Sequence, residues 1–505
     1  MRFFALSCFV LYLSRLWLSS FINPHPDEAY YWYWAQNLSL NYFDHPPLIA
    51  WLIRGGEVFV NEILLNFAQS TESTKLFYQN LSLRLFPQLL SGFALPICCA
   101  FVIKKIQKKA LSKTQSLSLL TSPLILFGPI IVTPDLAFFF FYCLCLGLNI
   151  DIASLRHKAM SPHQATPFQA KKCLALGLCL ALAIYSKYTA FICFGLIAIC
   201  LSGYKNFFLI SLVASGALLP HLNKFFFQAG SGLPQSGFLF QIEHVLGAAA
   251  NYKPLKAIGD LWLSQLAMWS PVVFIFSLIQ IPKQVKYFFS QDKKHFTKNI
   301  LLTWSFFPLL LFSLSALNKR PEANWPLAGA IAAVILFHAF CLRKKFLITN
   351  IYLNCLSICV LWFLASPPES EIGSKLNSSV KSSIQKRLND FSDWDKLYWP
   401  IISQVRNQQY DVHIHSYQIL SELLYLDRAF NKGLTSQLKI DKNSRRSQYN
   451  FDSKYQSTQE NKKAFWLLLP GTENNNSDCK ERQRMQRNEF QPKLYTLYFC
   501  EPNNG

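Results

Sequence analysis

Two adjoining carboxylates, Asp27 and Glu28, follow Pro26 just past the first apolar stretch of the chain, and Asp44-His45 stands before Pro46-Pro47. A carboxylate held close to a hydroxyl can take its proton as a general base. Acids in a first helical turn also complement the helix dipole, and that reading accounts for one acid better than for two. Thr133-Pro134-Asp135 sets a lone acid between two strongly apolar stretches. Lys187 interrupts another apolar run, and Lys319-Arg320-Pro321-Glu322-Ala323-Asn324 closes a third. A lysine at such a place either snorkels to the interface or holds an anionic headgroup. The chemistry these types could share is proton removal from an acceptor beside a cationic site for a phosphate.

The elements that must position these groups are membrane helices. Of the 505 residues, 51% are hydrophobic and 44 are Phe. From residue 1 to about 366 the apolar runs each approach the ~20 residues a helix needs to cross hydrocarbon. Beyond Pro367 the chain turns polar, which predicts a second domain over 367–505 after a membrane domain over 1–366. About eleven spans are expected: 2–22, 80–103, 114–132, one ending at the second basic loop, 173–186, one ending near Lys205, 206–226, 257–281, 299–317, one ending at Arg343, and 346–366. Between the first two, Asp27–Asn37 and Pro46–Phe59 read as amphipathic helices lying in the interface. With the start of the chain in the cytoplasm, Lys104/Lys105/Lys108/Lys109/Lys113, Arg156–Lys172, Lys283–Lys298 and Arg343–Lys345 all fall inside, as basic loops do. Every compact mixed-charge motif falls outside, Phe240-Gln241-Ile242-Glu243-His244 included.

That separation makes the net charge of +21 a matter of topology, not of nucleic-acid binding. No GxGxxG, P-loop, HExxH or CxxC is present, so nothing supports a soluble nucleotide or a structural zinc. Twelve of the 14 Cys lie in the apolar region as small helical residues. Cys479 and Cys500 are the pair in the polar tail, and could form a disulfide if the tail is extracytoplasmic. The first span lacks a small-residue cleavage site and reads as a retained anchor. A transporter or flippase for a lipid-linked sugar is the alternative, but it favours charges near the bilayer midplane and paired broken helices. In the tail, Gln409–Tyr425 and Ala464–Leu469 read as strands and helices of a small α/β unit.

Asp27-Glu28-Ala29-Tyr30-Tyr31-Trp32, Phe43-Asp44-His45-Pro46-Pro47, Thr133-Pro134-Asp135, Ser186-Lys187-Tyr188-Thr189 and Glu322-Ala323-Asn324-Trp325-Pro326 occur in that order. Together they resemble bacterial members of glycosyltransferase family 39, related to the protein O-mannosyltransferases and the aminoarabinose lipid A transferases of the GT-C fold. Trp394, Ser416-Tyr417-Gln418 and Arg445-Arg446-Ser447-Gln448-Tyr449 resemble the extracytoplasmic domain many of these proteins carry. The resemblance implies a mainly helical polytopic GT-C domain with a C-terminal extracytoplasmic α/β domain, in the bacterial inner membrane. It also implies transfer of a sugar from a polyprenyl-phosphate donor to a lipid, glycan or protein acceptor on the outer face, with inversion. Asp27, Glu28 and Asp135 would then be catalytic. Lys187, with Lys319 or Arg320, would hold the donor phosphate, and Glu322 and Asn324 would complete that end of the site. Asp44-His45 occupies the place of an acid-lysine pair in the lipid A transferases, a departure that leaves the role of His45 open. A monophosphate leaving group met by two cations predicts no metal and no other cofactor.

Overall fold

The computed structural model describes residues 2–63, 71–156, 167–200, 253–285, 293–365 and 391–501, apart from short stretches within these ranges. The 366/367 boundary, the 206–226 span, the Phe240–His244 motif and Arg445-Arg446 lie outside the described residues. The chain forms two compact units. One gathers Met1–Arg15, Ser39–Ile49 and Pro87–Ser357; the other gathers Leu16–Leu38, Ala50–Phe86 and Ile358–Gly505. The second unit is therefore discontinuous in sequence, joining parts of the first 86 residues to the tail.

The helices in chain order are α1 (Arg2–Ser20), α2 (Pro26–Gln36), α3 (Leu48–Ile63), α4 (Glu72–Gln88), α5 (Leu95–Gln107), α6 (Lys113–Leu120), α7 (Pro123–Leu126), α8 (Pro134–Arg156), α9 (Pro167–Ser186) and α10 (Phe191–Cys200). They continue with α11 (Pro254–Met268), α12 (Pro271–Val285), α13 (Lys293–Ser315), α14 (Gly329–Phe340), α15 (Lys344–Ala365), α16 (Asp395–Val405) and α17 (Tyr417–Phe430). Pro87 lacks the N–H that the α-helical ladder needs, and a π turn over Leu89–Ala94 carries α4 into α5.

Four described stretches are long and apolar enough to cross a membrane: Arg2–Ser20, Thr74–Gln107, Pro134–Ser154 and His295–Ser315. The pair α11 and α12, bent by 114°, makes a fifth if taken as one span. These are counts among the described residues, which leave out the expected 206–226 span and the end of the one near Lys205; three of the other expected runs are interrupted locally. The run 114–132 is broken into α6, α7 and a 3-10 turn over Gly128–Ile130, because Pro123 and Pro129 each start a new segment. The run 257–281 bends where Ser270 takes a left-handed φ of 78° immediately before Pro271. The run ending at Arg343 contains only α14, whose 12 residues rise ~18 Å against ~30 Å of hydrocarbon.

In the first unit α14 is a core helix, buried from Gly329 to Ala339. A Cβ on Gly329 would lie 2.2 Å from the carbonyl oxygen of Ser305, so α13 and α14 meet backbone to backbone. His338 is buried with Nδ1 against the Val334 carbonyl and Nε2 against the Ser118 hydroxyl.

In the second unit α2 is not the amphipathic helix its sequence suggested. Glu28 to Ala35 are all buried, because α17 of the tail packs on α2 and covers its second face. Of the two, α3 keeps the expected asymmetry: Ile53, Gly56, Glu57 and Val60 are buried, while Arg54, Val58, Phe59 and Asn61 are exposed. A Cβ on Gly56 would lie 2.1 Å from the Ser82 carbonyl oxygen, which fixes how closely α3 and α4 pack.

The tail folds as the α/β unit its sequence predicts. Strands β1 (Val412–Ile414), β2 (Leu438–Ile440), β3 (Phe465–Pro470), β4 (Cys479–Arg487) and β5 (Lys493–Cys500) form one sheet in the order β2-β1-β3-β5-β4. The β1–β2 and β1–β3 pairs are parallel; β3–β5 and β4–β5 are antiparallel. Because β1 and β2 are parallel, the chain must cross over between them, and α17 is that crossover. Cys479 and Cys500 face each other in the β4–β5 register and are joined by a disulfide. The bridge closes 21 residues and should contribute about 3 kcal/mol by restricting the unfolded chain. Replacing both cysteines by Ser should lower the thermal unfolding temperature of the full-length protein and abolish its response to reductant. A wild type indifferent to reductant would contradict the bridge.

Candidate active site

Asp27 and Glu28 are neighbours in the first turn of α2 with different surroundings. His25 caps the helix: its Nδ1 accepts the Asp27 backbone N–H at 3.2 Å, and its own N–H donates to Glu28 Oε2 at 2.7 Å. The Glu28 carboxylate is fully buried. Arg84 of α4 meets it as a fork, Nη2 to Oε2 at 2.9 Å and Nε to Oε1 at 3.2 Å. The same guanidinium donates to the carbonyl oxygens of Ser19, of Ile22 at 2.9 Å and of Asn23 at 3.4 Å. One buried arginine thus satisfies carbonyls at the end of α1 and an acid at the start of α2, leaving neither charge uncompensated.

Asp27 points the other way and is about one-third exposed. Its Oδ1 accepts from Gln418 Nε2 at 3.0 Å and from the Tyr417 hydroxyl at 3.3 Å, both on the first turn of α17. Its Oδ2 has, among the described residues, only the His25 imidazole at 3.7 Å. One carboxylate oxygen is held by α17, and among the described residues the other accepts no hydrogen bond.

The aromatic run after Asp27 is what seats α2 on the tail. Tyr30 packs on Tyr417 and Tyr449 with ring centroids at 4.8 and 5.6 Å; Tyr33 lies 4.2 Å from Tyr449 and 5.5 Å from Tyr455. Tyr33 donates to Asp452 Oδ2 at 2.6 Å, and Tyr30 accepts from the Gln448 N–H at 2.5 Å. Trp32 donates to Glu57 at 2.7 Å, and Tyr425 to Asn80 at 2.9 Å. Burial, then the bonded Asp452 carboxylate, raise the Tyr33 phenol far above its ordinary range; burial and nearby Asp452 raise Tyr455 to about 12. Both remain neutral at physiological pH.

The first unit holds a separate cluster. Asp135 opens α8, and Lys187 closes α9 on its way into a 3-10 turn; both are 6% exposed. Lys187 Nζ donates to Asp135 Oδ1 at 2.7 Å, and Asn324 Nδ2 to Asp135 Oδ2 at 3.1 Å. Three motifs distant in sequence therefore converge on one carboxylate. Gln265 fixes the Asn324 turn by donating to the Ala323 carbonyl at 2.7 Å, and itself accepts from Trp269 at 2.9 Å. Asp44 is buried and is an electrostatic neighbour of Tyr188, next to Lys187, while His45 is half-buried. The rest of the expected cationic group is looser. Lys319 is half-buried, Arg320 is exposed and pairs with Asp260 at 3.5 Å, and Glu322 is exposed. Among the described residues no three His, Cys, Asp or Glu side chains converge as a metal site.

In the sequence Arg84 is only one more cation near the first outer loop, and Tyr417-Gln418 only part of the tail resemblance. The signal that could have joined the latter to Asp27 is a polar pair at the head of an amphipathic helix, directly after a short apolar strand.

Residues 1–218 match the sequence model of the dolichyl-phosphate-mannose-protein mannosyltransferase family. Over the whole chain the structure superposes on that of ArnT from Cupriavidus metallidurans in the apo state, with a TM-score of 0.58 at 12% identity, covering 98% of this chain and 97% of that one. The fold is GT-C. The same enzyme bound to undecaprenyl phosphate gives a TM-score of 0.57 at 11% identity, with 97% of each chain covered. Among curated proteins this GT-C chain is similar to lipid A galacturonosyltransferase RgtD of Rhizobium johnstonii, 22% identical over 322 residues. That match takes in 61% of this chain and 59% of the relative's length.

The Tyr417 and Gln418 contacts should matter to turnover more than to folding. Tyr417→Phe with Gln418→Ala removes two hydrogen bonds to a partly exposed carboxylate, about 1.5 kcal/mol each. We expect kcat of sugar transfer to fall about tenfold or more, with the thermal unfolding temperature lowered by only a few degrees. An unchanged kcat would contradict a positioning role.

Proposed function

We propose that this protein is an integral membrane glycosyltransferase that moves a sugar from a polyprenyl-phosphate carrier to an acceptor hydroxyl on the periplasmic face of a bacterial inner membrane, with inversion. The observation that carries this reading is the buried Lys187–Asp135–Asn324 cluster. An ammonium out of water, with its counter-ion fixed from the far side by an amide, is already oriented when an anionic group arrives.

In this reading the acceptor oxygen forms a bond to the anomeric carbon as the bond from that carbon to the phosphate oxygen breaks. The phosphate departs with the bonding electron pair. Asp27 takes the acceptor proton through Oδ2, which accepts no hydrogen bond among the described residues. Lys187, helped by Lys319 or Arg320, stabilises the charge growing on the phosphate. Asp135 and Asn324 act as positioning residues for Lys187. Glu28, whose carboxylate is taken up by Arg84 and the His25 N–H, positions Asp27 and is not itself a base. Asp44, an electrostatic neighbour of Tyr188, and the adjoining His45 would contact the substrate. With the leaving group's charge met by cations of the chain, we expect no divalent ion to be needed.

The lipid A substrate in the name of the curated relative favours a lipid A or lipopolysaccharide acceptor over a cell-surface glycan or protein. The tail disulfide supports an oxidising, extracytoplasmic location for the second unit. Residues 1–366 would then be the membrane part and 367–505 the external part, which shares its packing with the first loop.

The test supplies membranes containing the protein with radiolabelled polyprenyl-phosphate sugars and whole-envelope acceptors, with and without chelator. Label should enter a lipid A fraction, chelator should not prevent it, and Lys187→Met should reduce the rate about 10²–10³-fold. Absence of transfer from every donor by folded protein would overturn the reading. Loss with chelator, restored by added metal, would overturn metal independence.

A further inference from the structure

α8 carries a second charged site at its other end. Asp135 lies in its first turn and Asp151 sixteen residues on, so the two carboxylates are separated along the axis by about 24 Å. That rise is close to the thickness of a hydrocarbon core. Around Asp151 a cavity of about 780 Å³ opens between α5, α8, α13 and α14.

Lys105, Lys108, Lys109 and Lys298 line its mouth, against one acid, Asp151. Asp151 is already engaged by Lys105 and, at 3.3 Å, by Lys172. Lys298 lies 4.9 Å from the centre of the Phe340 ring, and Lys108 and Lys109 are exposed with no ion pair among the described residues. The same cavity is lined by apolar side chains, half-buried Leu144 and Leu148 and the exposed Phe101 among them. Lysines and apolar side chains lining one cavity suit an amphiphile with an anionic head, not a soluble anion. The head-binding groups are all lysines, flexible point charges without the planar fork of an arginine. Such a site selects charge and not one headgroup shape, which fits an abundant membrane lipid better than a rare carrier.

We propose that this cavity binds an anionic glycerophospholipid of the cytoplasmic leaflet, its phosphate among Lys108, Lys109 and Lys298 and an acyl chain against Phe101 and Leu148. The proposal rests on the membrane reading of the chain but not on the roles of Asp27 or Lys187. Basic pockets between membrane helices on the cytoplasmic side are built to do this.

The test uses delipidated full-length protein in a neutral detergent, titrated with phosphatidylglycerol or phosphatidylethanolamine and followed by native mass spectrometry and thermal unfolding. Phosphatidylglycerol should be retained and raise the unfolding temperature, and phosphatidylethanolamine should do neither. Lys108→Gln/Lys109→Gln/Lys298→Gln, exposed or rim substitutions that should fold, should weaken phosphatidylglycerol at least about tenfold. Lys187→Met should leave it unchanged, which separates this site from the one around Asp135. Equal retention of both lipids, undiminished binding in the triple variant, or displacement by millimolar inorganic phosphate would overturn the proposal.

Discussion

A carboxylate and a guanidinium taken out of water cost several kcal/mol each, and only close geometry and further hydrogen bonds repay that cost. Glu28 and Arg84 meet those terms. The fork between them is completed by three backbone carbonyls and the N–H of His25. The pair locks the end of α1, the first turn of α2 and the middle of α4 into one arrangement. Asp27, one residue earlier in the same turn, points about 100° round the helix from Glu28 and meets α17. A buried pair of this kind adds little net stability, but breaking it is expensive, and that asymmetry fixes the direction of Asp27.

The tail is then more than an appendage. Its helix α17 supplies two donors to Asp27, and its aromatic residues cover a face of α2 that would otherwise be exposed. The tyrosines and tryptophans of α2 combine large apolar area with a polar tip, and each tip named above has found a partner. In the first unit the same economy operates on a smaller scale. Asp135 gains stability from the dipole of α8 and pairs with the buried Lys187 at 2.7 Å.

Much of this was legible in the sequence. The motifs that converge on Asp135 were all singled out by residue type and by falling at the same ends of apolar runs. The α/β character of the tail also follows from pattern, whereas Cys479 and Cys500 were legible only as a pair that could bond; the strand register that joins them was not. The continuity of three apolar runs was less legible, because hydropathy does not register that Pro123, Pro129 and Pro271 divide such runs, or that α14 is apolar all round because it is a core helix. The amphipathic reading of α2 failed because its second buried face is covered by residues some 400 positions later, which no local period encodes. The split between Asp27 and Glu28 was hidden for the same reason: it is set by Arg84 and Gln418, far away in sequence.

The central claim is that two adjoining acids do different work, and it is tested most directly by purifying Asp27→Asn and Glu28→Gln and recording thermal unfolding and sugar transfer on the same samples. The account predicts that Asp27→Asn unfolds as the wild type does while transferring about 10²–10⁴-fold more slowly. Glu28→Gln should lose about 3–5 kcal/mol of stability, because Arg84 is left buried without its counter-charge. A fully active Asp27→Asn, or a Glu28→Gln that unfolds normally yet transfers nothing, would contradict it.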